Sequence, residues 1–208
     1  MKDALPQTIY LKDYQVSPFL VDTTDLVFDL GDEQTRVTTN LAVRRNPDSS
    51  DKAAVLELNS KGDVQLQWIA IDGQRLDSSA YSIADNLLRV PNLSDSCVIS
   101  TEVLIQPQLN TSMMGLYRSR TMYCTQCEAE GFRRITFFPD RPDVLSRFTT
   151  TIHADRAAYP LLLSNGNRIS QEDLGDGKHR VVWEDPFKKP SYLFAVVAGD
   201  LHCHRGDF

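Results

Sequence analysis

"RVTTNLAVR", residues 36–44, places Val37, Thr39, Leu41 and Val43 on alternate positions, with Arg36, Thr38, Asn40 and Ala42 between them. Side chains alternate across a β-strand with a period of two, so the stretch reads as a half-buried strand rather than an amphipathic helix. "VQLQWIAID", residues 64–72, repeats the pattern, with Val64, Leu66, Trp68 and Ala70 expected on one face. Working outward, strand-like runs recur at 25–30, 53–58, 86–90, 97–105, 133–138, 147–154, 159–164, 179–184 and 192–199. Turn dipeptides separate many of them: Gly31-Asp32, Asp72-Gly73, Asn165-Gly166 and Asp176-Gly177. No segment sustains a period of 3.6. The chain is therefore expected to be all-β, a curved β-sheet saddle or two-sheet sandwich of about ten strands. One short helix is expected over "RPDVLSRF", residues 141–148, with Asp140 as its cap and Pro142 in its first turn.

The bulk numbers fit this reading. A chain of 208 residues, 41% hydrophobic and 24% charged, can bury a core without disulfide staples. Its 28 acidic and 22 basic residues leave a net charge of -6, which disfavours non-specific binding to nucleic acid or anionic lipid and leaves cationic ligands open. No membrane partner is expected, since the longest apolar run, "LFAVVAG", is far too short to cross a bilayer. The opening "MKDALPQTIYLKDY" does not read as a signal peptide. Four cysteines, Cys97, Cys124, Cys127 and Cys203, then read as reduced thiols, and the cytoplasm is the expected location.

Chemistry-bearing residues concentrate in "YCTQCEAEGFRR", residues 123–134. Cys124 and Cys127, with His202, Cys203 and His204 at the other end, offer enough nitrogen and sulfur for a tetrahedral zinc site. The context argues against it: extended geometry turns Cys124 and Cys127 to opposite faces, and no helix pattern follows to lower a thiol pKa for redox work. Gly-x-Ser-x-Gly, phosphate-loop and His-Glu-x-x-His motifs are absent from the sequence. His153 reads as a surface or interface residue of a strand, and His179 as the polar residue after a hairpin turn. "DLGDGK", residues 173–178, reads as that hairpin rather than a calcium loop. What remains is Gln126, Glu128 and Glu130, spaced two apart and on one face if extended. That face reads as a solvated edge unless a cationic ligand is present, because an amine between carboxylates makes strong charge-assisted hydrogen bonds.

The block "CTQCEAEGFRRITFFPDRPDVLSRFTTTIHADRAAYPLLLSNGN", followed by "WEDPFKKPSYLFAVVAGDL", resembles the N-terminal domain of the gluzincin zinc metallo-aminopeptidases, in their bacterial branch. The opening "YLKDYQVSPFLVDTTDLVFDLGDEQTRVTTNLAVRR" is similar to the first strands of that domain, so the resemblance covers nearly the whole chain. It implies a β-domain over residues 1–200, with 201–208 starting a connection to a catalytic domain. It further implies that Glu128 helps bind the α-ammonium of a peptide N-terminus and that Gln126 lines the pocket for the first side chain. The implied cofactor is zinc in the full-length protein, with ligands and general base outside this chain. The family's Gly-x-Met-Glu-Asn and His-Glu-x-x-His motifs have no counterpart in the 208 residues, so no catalytic or metal-ligating residue is expected here, and the chain alone is expected to be inactive. The implied partners are peptide N-termini and the chain's own catalytic domain. A non-catalytic β-domain serving as a binding module is the alternative.

Overall fold

A computed structural model describes residues 8, 10–62, 64–204 and 206. The strands, in chain order, are β1 (Phe19–Asp29), β2 (Thr35–Arg45), β3 (Leu56–Asn59), β4 (Gln65–Ile71), β5 (Gln74–Arg75), β6 (Ser82–Ala84), β7 (Leu87–Val90) and β8 (Ser96–Ile105). They continue with β9 (Gly115–Ser119), β10 (Met122–Gln126), β11 (Leu145–Asp155), β12 (Leu161–Ser164), β13 (Asn167–Gly175), β14 (Lys178–Pro190) and β15 (Val196–Gly199). An eight-stranded sheet runs β13-β14-β11-β1-β2-β8-β4-β5, a four-stranded sheet runs β12-β15-β10-β9, and a three-stranded sheet runs β3-β7-β6. The all-β architecture expected from the periodicity is present. Among the described residues there are fifteen strands against the expected ten or so: several run longer than their apolar cores, as β1, β11 and β14 do, and short or exposed ones such as β5, β6 and β13 carry little buried apolar surface to announce them.

The large sheet shows why alternation predicts it. On β2, Val37, Thr39, Leu41 and Val43 are all at most 2% exposed, while the residues between them are partly or fully exposed. β4 departs from the expected pattern: a bulge between Leu66 and Trp68 resets the register, so Ile69 turns inward, opposite the buried Thr101, and Trp68 pairs with Glu102. One extra residue moves every following side chain to the other face. Trp68 is instead covered by the Arg75 guanidinium, 4.4 Å from its ring.

The core is an aromatic cluster between the large sheet and the segment leading out of β10. Phe132 meets Phe138 edge-on at 4.9 Å, Phe194 at 5.1 Å and Phe148 at 5.8 Å. Each such ring contributes roughly 2–3 kcal/mol by leaving water. Two pairs of inward hydroxyls satisfy each other: Thr39 pairs with Thr136, and Thr24 with Ser146, both at 2.8 Å. Neither costs an unpaired buried group.

Two expected elements are replaced. Residues 133–138 do not form a strand: Phe132–Arg134 is a 3-10 turn, and Ile135 to Phe138 are buried in succession, leaving no solvent face for alternation. Only Phe138 bridges to another strand, through Asn59 at 2.8 and 3.2 Å. The short helix over 141–148 is also absent: Arg141 to Val144 make a tight turn closed at 3.2 Å, and β11 begins at Leu145. The β-branched run that follows favours strand, and the Asp140 side chain is engaged elsewhere and cannot cap.

Candidate functional site

β10 lies between β15 and β9 in the four-stranded sheet. Tyr123 anchors it from inside, fully buried, donating from its hydroxyl to the Gly31 carbonyl at 2.9 Å and tilted against Tyr159 at 5.2 Å. Burial, reinforced by Tyr159, pushes the Tyr123 pKa up to about 12, so it stays a neutral donor. The strand ends at Gln126, opposite Gly115. There the chain turns, and the Gly131 N–H closes the turn on the Cys127 carbonyl at 2.8 Å. A Cβ at Gly131 would run into the Gln126 carbonyl oxygen and stand 2.7 Å from the Cys127 Cα. Glycine is required by this close backbone approach.

The turn changes the geometry expected of an extended strand. Gln126 and Glu128 do not share a strand face; Gln126 closes β10, and Glu128 follows on the turn, where the Glu128–Ala129 peptide is cis. The turn nevertheless brings them together, with the Glu128 N–H directed at Gln126 Oε1 at 3.5 Å. Gln126, Glu128 and Glu130 are all exposed, while Cys127 is 1% exposed and points inward. Glu130 is drawn back onto Arg133 at 3.3 Å. Among the described residues Glu128 is in no ion pair.

Beneath the turn lies a cluster that sequence reasoning did not find. Asp140, 5% exposed, accepts from the Arg133 N–H at 3.1 Å and from Arg133 Nε at 2.9 Å, and also from the Ser191 hydroxyl. Its own N–H donates to Asn59 Oδ1 at 3.1 Å, and Arg133 Nη2 donates to the Asp140 carbonyl at 2.9 Å. A buried carboxylate so fully bonded fixes the path of the chain immediately after the turn. A groove of about 400 Å³, lined by Glu57, Asn59, Glu130, Arg133 and Asp140 among others, opens beside it.

The remaining candidates resolve into structural roles. Burial, then the nearby Asp140 charge, pushes the Cys127 thiol up, the opposite of what a redox or metal-binding cysteine needs. His202, Cys203 and His204 are exposed, and among the described residues no three His, Cys, Asp or Glu side chains gather to hold a metal. His153 lies on β11 with its Nδ1 2.6 Å from Asp29 on β1. His179 follows the hairpin turn as expected, and it is buried there: it is 2% exposed, its Nε2 2.9 Å from the Tyr159 carbonyl. The 173–178 segment is the β13–β14 hairpin, with the Gly175 N–H on Asp173 Oδ1 at 3.0 Å.

With this geometry in place, comparison with known proteins is informative. A family profile described as the peptidase M1 N-terminal domain matches residues 22–193. The chain belongs to that family. This M1 N-terminal domain is 49% identical over 201 residues to an aminopeptidase N of Caulobacter vibrioides, covering 97% of the chain and 23% of that relative. It is 45% identical over 204 residues to an aminopeptidase N of Escherichia coli, again covering 23% of the relative and 98% of the chain. It thus spans about a quarter of the length of the curated relatives it matches. Among solved structures, a Legionella pneumophila aminopeptidase A in complex with aspartic acid superposes with a TM-score of 0.88 at 34% identity, over 92% of this chain and 22% of that one. An M1 zinc metallopeptidase from Deinococcus radiodurans, at 15% identity and a TM-score of 0.73, covers 88% of this chain and 42% of its own and shares the fold.

Proposed function

We propose that this M1 N-terminal domain supplies the amine-gripping edge of a zinc aminopeptidase, with Glu128 binding the substrate's α-ammonium and Gln126 lining the pocket for its first side chain. The observation that carries the reading is the contrast between the two glutamates of one turn: Glu130 lies 3.3 Å from Arg133, while Glu128 is exposed and in no ion pair among the described residues. A carboxylate held on a closed turn without a counter-charge favours a cationic ligand, and hydrogen bonds between ions are about twice as strong as neutral ones. An internal peptide nitrogen carries no charge, so such an edge selects chain ends. Gln126, with both donor and acceptor on its amide, can meet a first side chain of either polarity.

The described residues do not gather a metal site, and zinc belongs on this reading to a catalytic domain carried by the rest of the polypeptide. When bound there it supplies a Lewis acid and an activated water. The role of this chain is to fix the substrate's amino end and so hold the first peptide bond in register for attack. Residues 1–200 form the domain and 201–208 begin the connection onward; of the latter, 205, 207 and 208 lie outside the described residues. The chain by itself should not turn over aminoacyl arylamides.

The test needs the protein that includes the catalytic domain. Glu128→Ala and Glu128→Gln should each lower kcat/KM on aminoacyl arylamides by roughly 100-fold, about 2.7 kcal/mol of lost transition-state binding. Full activity in both variants would sink the assignment.

A further inference from the structure

A second concavity, about 160 Å³, lies at the same end of the β9–β10 hairpin, and its wall includes Lys61, Gly62, Gln106, Thr111, Leu116 and Arg134. Its chemistry is the reverse of the amine edge. The Lys61 N–H donates to the Arg133 carbonyl at 2.9 Å, which sets Lys61 beside the strip that carries Arg134. Gly62, at φ +79°, lets the Arg134 guanidinium lie over bare backbone: a Cβ there would stand 3.1 Å from Nη1. The root of Arg134 is fixed against Gly115, where an added Cβ would come within 2.6 Å of the arginine Cβ.

Neighbouring arginines have found carboxylates: Arg133 with Asp140, Arg118 with Asp32 and Arg141 with Asp143. Among the described residues neither Lys61 nor Arg134 has one, although the chain carries six more acidic than basic groups. Two cations lining one pocket with no carboxylate paired to them among the described residues repel each other, and an anion between them removes that cost. The wall of the pocket is itself rigid, because Asn110 Nδ2 holds the Met114 and Leu116 carbonyls at 2.8 and 2.9 Å while its Oδ1 takes the Ser112 N–H. The Gln106 amide and Thr111 hydroxyl, which have no hydrogen-bond partner among the described residues, add neutral donors around the two charges.

We infer that this pocket is a binding site for a small oxyanion, a carboxylate or a phosphate group, held by Lys61 and Arg134. A planar guanidinium matches two oxygens at once, and a volume of this size admits a group of that scale with little else. The inference is independent of the amine-binding reading, since it concerns the opposite charge and other residues.

Amide NMR of the 208-residue chain, titrated with sodium phosphate and separately with sodium acetate at constant ionic strength, reads the site. Gly62 and Thr111 amides should shift saturably with at least one of the two; saturation by phosphate alone, or by acetate, identifies the group. Binding should weaken about fivefold in Lys61→Gln and disappear in Lys61→Gln/Arg134→Gln. Lys61→Glu, a change at an exposed position, serves if the double variant does not fold, and should also abolish binding. Shifts that never saturate, or that persist unchanged in the double or charge-reversed variant, would overturn the proposal.

Discussion

The turn at 126–130 and the block at 131–144 are contiguous in sequence and opposite in character. The first is exposed at Gln126, Glu128, Ala129 and Glu130; in the second, Gly131, Phe132 and every residue from Ile135 to Asp140 are buried. The turn carries the groups with chemistry to offer, and the block carries the hydrogen bonds that hold them in place. Removing a group from the block should cost folding energy. Removing one from the turn should cost function and leave folding alone.

The largest expected effect is at the junction. Gly131→Ala forces a Cβ into the backbone of Gln126 and Cys127, and should destabilise the chain by about 3 kcal/mol or more in urea unfolding. A loss below about 1 kcal/mol would mean that the turn yields easily and is no rigid mount. Asp140→Ala leaves the largely buried Arg133 guanidinium and the Ser191 hydroxyl without their acceptor, at an expected cost of about 3 kcal/mol. Tm and chemical denaturation would both report it.

A smaller effect comes from the turn at Arg141–Val144. Burial pushes the Asp143 carboxyl up, but hydrogen bonds from Arg141 and Tyr14 outweigh it, and its pKa lies below the usual 3.8. A carboxylate depressed on folding stabilises fully above that unfolded value, and the contribution is lost as pH falls through the lower folded one. Asp143→Asn should therefore lower stability at pH 7 by up to about 1 kcal/mol, as expected of a partly exposed pair, and its curve should converge with the parent's once pH has fallen below the depressed folded value. Smallest of all should be the stability change in Glu128→Ala, within about 0.5 kcal/mol, since the side chain is exposed and in no ion pair. A large loss of stability there would erase the distinction between mount and mounted group.

Period-two alternation made the large sheet legible, because half-buried strands such as β2 and β11 must show it. It failed where burial has no second face. Ile135 to Phe138 look like a strand by composition, yet they are packed on all sides and follow a 3-10 turn. It failed again at Trp68, since a bulge leaves no mark in composition. Pro142 after Asp140 has the look of a helix start, but Asp140 is consumed by Arg133, a pairing over seven residues that no local rule announces. Spacing singled out Gln126, Glu128 and Glu130 as one extended face, and the resemblance chose the first two; the chain places them on a closed turn instead, with the Glu128 N–H directed at Gln126 Oε1. What distinguishes Glu128 from Glu130 is the reach of Arg133, and that required coordinates.

The central seam of the large sheet has a consequence for how the molecule is made. β1 pairs in parallel with β11, from Thr23 with Arg147 to Asp29 with His153, so a strand from the first thirty residues finds one neighbour only after some 120 more have been joined. On a ribosome, the nascent chain would for that interval present one side of β1 as an open edge, ready to pair with whatever strand arrives first. Synthesis through Asp155 supplies the strand that closes it.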